Sequence, residues 1–291
     1  MEGAKEVGSL LKTNNKLQSK FKLSTFLISF VIFLMGLMMI VPFLFMISAA
    51  FKTNALVFAE PLNLIPETIN WNNFQTIFKH DYFFKWYGNS VYIVILTMAA
   101  RFIVVTMAAY AFARLNFPFK EAIFFLFIST MMIPPDTTII ARYMLYKHLH
   151  IYDTSWALIL PATFDVFFIF LLRQFFMGLP KEISESAVVD GCSQFKIYYR
   201  IILPLAVPAL VTMLLFTFIW TWNDFVNPFI FISSIDKQLV TVGLEYFQQE
   251  AGTDYALQMA GACIIVIIPV ILFALSQKYF IQGIASTGIK G

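Results

Sequence analysis

Charge is what this chain has least of. Asp, Glu, Lys and Arg make up 13% of its 291 residues, against about 25% in a soluble domain. With 59% of the residues hydrophobic and 34 Phe, a polar surface able to cover a water-soluble body cannot be assembled, and lipid is the solvent the composition requires. The formal net charge is only +3. The basic residues are scattered between apolar runs and not gathered on one face, which argues against a nucleic-acid partner. Cysteine is nearly absent: Cys192 falls on an expected inner loop and Cys263 inside an expected span. Neither place suits a disulfide, and both read as small buried residues. His80, His148 and His150 fall in expected outer loops without further ligands, so no metal site is expected. There is no H-E-x-x-H, no G-x-S-x-G and no phosphate loop. The terminal string GIASTGIKG fails as a phosphate loop because Lys does not directly follow the second Gly and no strand precedes it. These absences leave no catalytic constellation, and the chain is expected to be no enzyme and to hold no cofactor of its own.

Long apolar runs are what the chain has instead. Six stretches, near 24–50, 88–113, 121–141, 155–177, 205–226 and 256–280, are long enough to cross about 30 Å of hydrocarbon. A backbone in lipid must bond to itself, so each is expected to be a helix and the fold an all-α polytopic membrane protein with six transmembrane helices. The first run is uncharged from Leu23 to Phe51, far longer than the apolar core of a signal peptide and without an obvious cleavage site, so it reads as a retained span. The run Phe225 to Ile235 is short and contains Pro228, which suggests a re-entrant or outer-surface segment. With the amino terminus inside, 13 Lys and Arg fall in inner segments and six in outer ones, Arg101 lying within a span. That bias places both termini in the cytoplasm. The longest outer loop, Lys52 to Tyr87, carries Trp71, Trp86 and other aromatics and reads as a partly folded lip along the outer leaflet.

Two charges fall near the middle of spans, Arg101 in the second and Asp165 in the fourth, each costing about 2.5–3.5 kcal/mol there on insertion scales. Such residues pair with one another or line a wet path; both readings stand at this point. Asn223 and Asp224 end the fifth span beside Trp220 and Trp222. That grouping suits sugar binding, and it suits the membrane interface equally.

The polar cassette between the fourth and fifth runs is more than a connector. Pro180 is placed for a first helical turn, and Glu182 and Glu185 follow where the helix dipole favours negative charge. Gly191 can end that helix in the left-handed conformation, Ser193 can cap a second helix through Arg200, and Pro204 ends the unit or bends it into the next span. A helix over residues 180–190 is only about 16 Å long and cannot be stable alone in water. Its apolar residues need a surface, either the chain's own bundle or another protein, and the small Ser186 and Ala187 permit close approach.

Glu185-Ser186-Ala187, then Gly191, then Ile201, Leu203 and Pro204 resemble the E-A-A, Gly, Ile-x-Leu-Pro loop of the membrane subunits of binding-protein-dependent ABC importers. The likeness extends over most of residues 60–291. NSVYIVIL, AYAFARLNFPFK, MMIPPDTTIIARY, TWNDFVNPFIF and the terminal QKYFIQGIASTGIKG are similar to the maltose-permease-like second subunit of the sugar-importer branch. Ser186 departs from the family's usual Ala, and Arg101 and Asp165 are further departures. The resemblance implies a type I ABC importer permease fold, with a cytoplasmic tail (1–22), a first span and extracellular loop (23–87), the transmembrane domain (88–282) with its coupling loop (179–204), and a cytoplasmic tail (283–291). It implies ATPase coupling through Glu185, Ser186, Ala187, Asp190, Gly191, Ile201, Leu203 and Pro204, and ATPase contact by Gly288, Lys290 and Gly291. The expected partners are a homologous permease, two cytoplasmic ATPase subunits carrying ATP and Mg, and an extracellular solute-binding protein, in the bacterial cytoplasmic membrane. Asp165, Asn223, Asp224 and Arg101 are the candidates for the substrate path of a sugar or oligosaccharide. The rival class is an ATP-independent secondary transporter or channel.

Overall fold

The computed structural model describes the backbone of residues 2–249 and 252–288 and the side chains of residues 25–247 and 253–277. Helix α1 runs unbroken over Glu2–Ala50, so the expected boundary between tail and span at residue 22 does not interrupt it. Short helices α2 (Asn54–Ala59) and α3 (Asn72–Lys79) follow, then α4 (Phe83–Arg114), α5 (Lys120–Thr130), α6 (Ile139–His148), α7 (Trp156–Thr163) and α8 (Val166–Gly178). The polar cassette forms α9 (Lys181–Val189), α10 (Gln194–Ile197), a π-helical turn (Tyr198–Ile202) and α11 (Leu203–Leu205). The chain continues through α12 (Val207–Trp222), α13 (Val226–Phe231), α14 (Val240–Gly243), a two-residue antiparallel hairpin at Gln248–Gln249 and Gly252–Thr253, and α15 (Tyr255–Gly288).

Among the described residues, four stretches are long and apolar enough to cross a membrane, one of them (Trp156–Gly178) made of α7 and α8 together, and six spans result when two bent pairs are each taken as one. The chain is therefore a multi-pass membrane protein, but its third and fourth spans are not the continuous helices expected, and the fifth bends next to Pro204, where the sequence allowed an end or a bend. The third is bent by 89° between Lys120–Thr130 and Pro135–His148. Pro134 and Pro135 lack N–H groups, and a residue before proline is pushed out of the helical region; Pro134 is accordingly extended, at φ −60 and ψ 130. The fourth is interrupted between α7 and α8, where Phe164 and Asp165 are extended, three residues after Pro161. The fifth bends by 80° where the cassette meets α12, at Ala206, which lies between Pro204 and Pro208.

Helix α4 is the central post, packed on α7, α8 and α12. At one end, Val105 and Ala109 of α4 meet Phe168, Leu172 and Phe176 of α8 and Met213 of α12 in a shared buried core. At the other end Trp86 is fully buried, its Nε1 donating to the Ile235 carbonyl at 2.5 Å. Gly243 lies beneath this ring, with no room for a side chain. The side chains of α1 from Thr25 to Leu44 are exposed; Phe45 and Met46 are half-buried, and Ser48, Ala49 and Ala50 are buried.

A polar latch ties the loop after α6 to the segment after α13. Asp153, at φ 59, accepts from the backbone N–H groups of Ser233 and Ser234 at 2.9 Å, from the Ser234 hydroxyl at 2.6 Å and from Lys237 Nζ at 2.8 Å. Burial alone would push its carboxyl up, but the Lys237 ammonium, the Ser234 hydroxyl and the two N–H groups hold it well below the usual carboxylate range.

Candidate functional site

The cassette closes on itself by a local hydrogen-bond pattern that its glycine makes possible. Gly191 takes φ +77, its N–H donates to Val188 O at 3.0 Å, and the Cys192 N–H donates to Ala187 O at 2.9 Å. These are the two bonds of a Schellman C-cap, which needs a residue in the left-handed region. The turn satisfies carbonyls that the end of α9 would leave orphaned. Ser193 then caps α10, its Oγ accepting from the Lys196 N–H at 3.3 Å.

Three faces of α9 have different surroundings. Ala187 is buried in the chain's own core, so it is a seat for the helix and not open to another protein, contrary to the expectation for the Ser186–Ala187 pair. Lys181, Ser184, Glu185 and Val188, at helical spacing, border a cleft against the ends of α4, α5 and α8. Ser186, Val189 and Asp190 are exposed, Val189 at 87%, and Phe195 on α10 is exposed at 62%. Large apolar side chains thus stand uncovered on a polar loop, which marks a surface that a partner covers.

The cassette is fastened to α4 by two tyrosines. The Tyr198 hydroxyl lies 2.6 Å from Thr106 Oγ1, and Tyr110 OH donates to Gln194 Oε1 at 2.9 Å. Ile201 and Leu203 are half-buried on the same core, and Pro204 is exposed at the bend.

Arg101 and Asp165 are brought together. Arg101 is 6% exposed, and its Nη1 lies 3.3 Å from Asp165 Oδ2. Its Nε donates to Ala162 O at 2.6 Å and its Nη1 to Thr217 Oγ1 at 3.1 Å. Asp165 does not sit inside a helix as expected. It is the N-cap of α8, its Oδ1 accepting from the N–H of Phe167 at 3.0 Å and of Phe168 at 3.3 Å. The break in the fourth span leaves backbone groups at the end of α7 and the start of α8 without helical partners. A cation on one carbonyl and a carboxylate on two N–H groups satisfy three of them. The two charges, each costly alone, close the gap together.

Beside this pair lies a cleft of about 420 Å³, lined by Arg101, Pro135, Trp220, Thr221, Asp224 and Asn227 among others. Asp224 accepts from Asn227 Nδ2 at 2.9 Å, and Asn227 Oδ1 accepts from Arg142 Nη1 at 3.2 Å. Of the four residues expected on a substrate path, Arg101 and Asp224 line this cleft and Asp165 and Asn223 do not. The Asn223 amide turns back to Ile219 O at 2.8 Å. Asn227 and Arg142 were missed. Asn227 follows Asp224 by three residues across the link between α12 and α13, and its N–H and Nδ2 both donate to that carboxylate, whereas Arg142 had no local signal and was counted only as an outer-loop charge. Gly288 is the last residue of α15, and Lys290 and Gly291 lie outside the described residues.

Residues 105–286 match the family described as binding-protein-dependent transport system inner membrane component. The probable ABC transporter permease protein YurM of Bacillus subtilis is 35% identical over 86% of this chain and 83% of its own length. The arabinooligosaccharides transport system permease protein AraQ of Halalkalibacterium halodurans is 32% identical over 86% of this chain and 91% of its own. A chain from the crystal structure of a bacterial ABC transporter that imports the acidic polysaccharide alginate superposes with a TM-score of 0.81 at 19% identity, covering 89% of this chain and 97% of that one.

Proposed function

The chain belongs to the family of binding-protein-dependent transport system inner membrane components, and on that premise we propose how it works as a permease subunit of an ABC importer for a sugar or oligosaccharide. It pairs with a homologous permease to form the pore. Two cytoplasmic ATPase subunits, which carry the ATP and Mg, engage the outward face of α9, and an extracellular binding protein delivers the solute. Both termini are cytoplasmic in the bacterial inner membrane. Residues 1–22 and 283–291 are the tails flanking the first span with its loop (23–87) and the transmembrane domain (88–282). Gly288, Lys290 and Gly291 reach the ATPase dimer.

The observation that carries this reading is the Schellman-closed α9, seated on the core by Ala187 and exposing Ser186, Val189 and Asp190. Gly191 shapes the end of the handle, Glu185 borders it, and Ile201, Leu203 and Pro204 join it to the bundle. A segment so short is rigid only through its anchors, so a force applied to α9 moves the bundle and does not merely deform the loop. Two ATPase states that contact α9 differently then bias two pore states.

Solute contact is assigned to Asp224 and Arg101, which border the 420 Å³ cleft beside Trp220. Carboxylate, guanidinium and amide groups beside an indole suit hydroxyl-rich solutes. Asp165 and Asn223 act behind that wall, by holding the helix ends. The name of AraQ points to neutral oligosaccharides and that of the alginate transporter to acidic ones.

The test is a cysteine at Ser186, crosslinked in the assembled transporter, with solute uptake measured in proteoliposomes. Crosslinks to an ATPase subunit and uptake that requires ATP are expected. Broken spans are also found in secondary transporters; uptake driven by an ion gradient without nucleotide, with no crosslink at Ser186, would overturn the reading.

A further inference from the structure

A second cleft, about 550 Å³, opens where the ends of α4 and α8 meet the starts of α5 and α9. It is separate from the solute wall, and the importer reading assigns it no role. Its walls carry Arg114, Lys120, Arg173 and Lys181 against Glu121 and Glu185. One cation is already matched: Arg173 Nη2 donates to both carboxylate oxygens of Glu121, at 2.8 and 2.9 Å, and its guanidinium lies 4.0 Å from the Phe124 ring centroid. With that pair neutral, three cations remain against Glu185. Arg114 donates to the carbonyls of Phe176 and Leu179, and Lys120 to that of Leu115. Those acceptors are neutral, so the formal excess of two positive charges is left in the cleft. The starts of α5 and α9 add the positive ends of two helix dipoles.

Two polar atoms on these walls point to a ligand. Arg114 Nε and Ser184 Oγ are buried without a hydrogen-bond partner. A buried donor left unpaired costs about 1–3 kcal/mol, and here two such donors border one electropositive space. Both atoms are buried, so an anion with several acceptor oxygens would satisfy them once the two side chains turn toward the cleft. Basic pockets among the ends of membrane helices take phospholipid head groups in this way.

We propose that this cleft is a binding site for a phosphate-bearing anion, held by Lys181, Lys120, Arg114 Nε and Ser184 Oγ beside the face of α9 that carries Glu185. A lipid head group and free phosphate share this chemistry.

The test is native mass spectrometry of the full-length chain in its purified transporter complex. It is titrated with dioctanoyl phosphatidylglycerol, with dioctanoyl phosphatidylcholine, and with inorganic phosphate as competitor. Preferential retention of phosphatidylglycerol over phosphatidylcholine is expected. Removing one cation by Lys181→Gln should raise the phosphatidylglycerol midpoint about fivefold. Ser184→Ala should raise it in the same direction while leaving the melting midpoint unchanged. Lys181 is exposed and makes no structural bond among those described, so its variant separates loss of binding from loss of folding. Displacement by millimolar phosphate assigns the site to the free anion, and resistance to it assigns the site to the lipid. Equal retention of the two lipids with no phosphate binding overturns the proposal, as does an unchanged midpoint in both variants. None of these readouts depends on ATP-driven uptake, so failure here and failure of the importer reading are distinguishable.

Discussion

Replacing Arg101 by Met tests whether the fourth span is held together across its break. The substitution keeps the apolar stem and removes the guanidinium. It deletes the bonds to Ala162 O and Thr217 Oγ1 and the ion pair with Asp165. Removing one partner of a buried ion pair costs about 3–5 kcal/mol in soluble proteins, while a polar contact between membrane helices averages about 0.6 kcal/mol. Asp165 keeps its two N–H partners on α8 and the positive end of that helix, and its side chain is 18% exposed, so its charge is not stranded outright. Between these limits the loss is about 2–3 kcal/mol, a fall in melting midpoint of about 4–12 °C, read by a thermal melt of the purified complex. Asp165→Asn removes the charge and keeps a good N-cap. The double variant should therefore recover part of the Arg101→Met loss, with a coupling of about 1–2 kcal/mol in the mutant cycle. An Arg101→Met protein melting within about 1 °C of the parent, or two losses that simply add, would refute the stapling of the break.

Gly243→Ala places a Cβ 2.2 Å from Trp86 Cε3, and the overpacking should cost about 1–3 kcal/mol, visible as a lower melting midpoint together with a changed near-UV tryptophan signal. Gly191→Ala meets no neighbour, only backbone strain at φ +77, worth about 1–2 kcal/mol. Amide exchange at Gly191 and Cys192 should quicken about 5- to 30-fold with no change in the global melt. The Asp153 latch should be flat with pH across the physiological range. Because its folded carboxyl is held below the usual value, its contribution is complete above about pH 4 and is lost only as pH falls through the folded value. Asp153→Ala leaves two backbone N–H groups without their acceptor and should speed their exchange at pH 7, whereas lowering the pH from 8 to 5 should not.

The existence of the spans was legible because a lipid-spanning segment is read from length and apolarity alone. Their continuity was not. Pro134-Pro135, Pro161 and the pair Pro204 and Pro208 were all visible, but a proline inside an apolar run is compatible with a mild kink or a full break. What decides is whether neighbours satisfy the freed backbone groups. For the fourth span those neighbours are Arg101, from a helix about sixty residues earlier, and Asp165 itself. The cap at Gly191 and Ser193 was legible because both bonding patterns are local. The burial of Ala187 was not, since a small residue on a short helix suits a foreign surface and the chain's own core equally. Asp224 was placed at the end of a span correctly, but its role as cleft wall depends on Arg142 and Asn227, and the first of these is brought to it only by the tertiary fold.

Cassette and break are joined through a single helix. Tyr198 and Gln194 of the cassette are pinned to Thr106 and Tyr110, that is, to one stretch of α4. Arg101 lies five residues before Thr106 on the same helix, about 7.5 Å along its axis. An uninterrupted helix carries its hydrogen bonds along that axis and moves as a rod, so a push on α9 arrives at Arg101 with little loss. Besides the bend at Pro134–Pro135, the chain departs from the regular helix at Phe164–Asp165 and at Ala206, on the two spans that pack against α4. Under the importer reading these two points are where the bundle yields. Spin labels at Ser186 and at Ile103, an exposed position on α4, should then keep their separation between nucleotide-free and ATP-bound transporter. Labels at Ser186 and Val226, beyond the bend of the fifth span, should change theirs by several ångströms. Equal changes in both pairs would mean that α4 is itself deformed and that the two tyrosines do not transmit the motion.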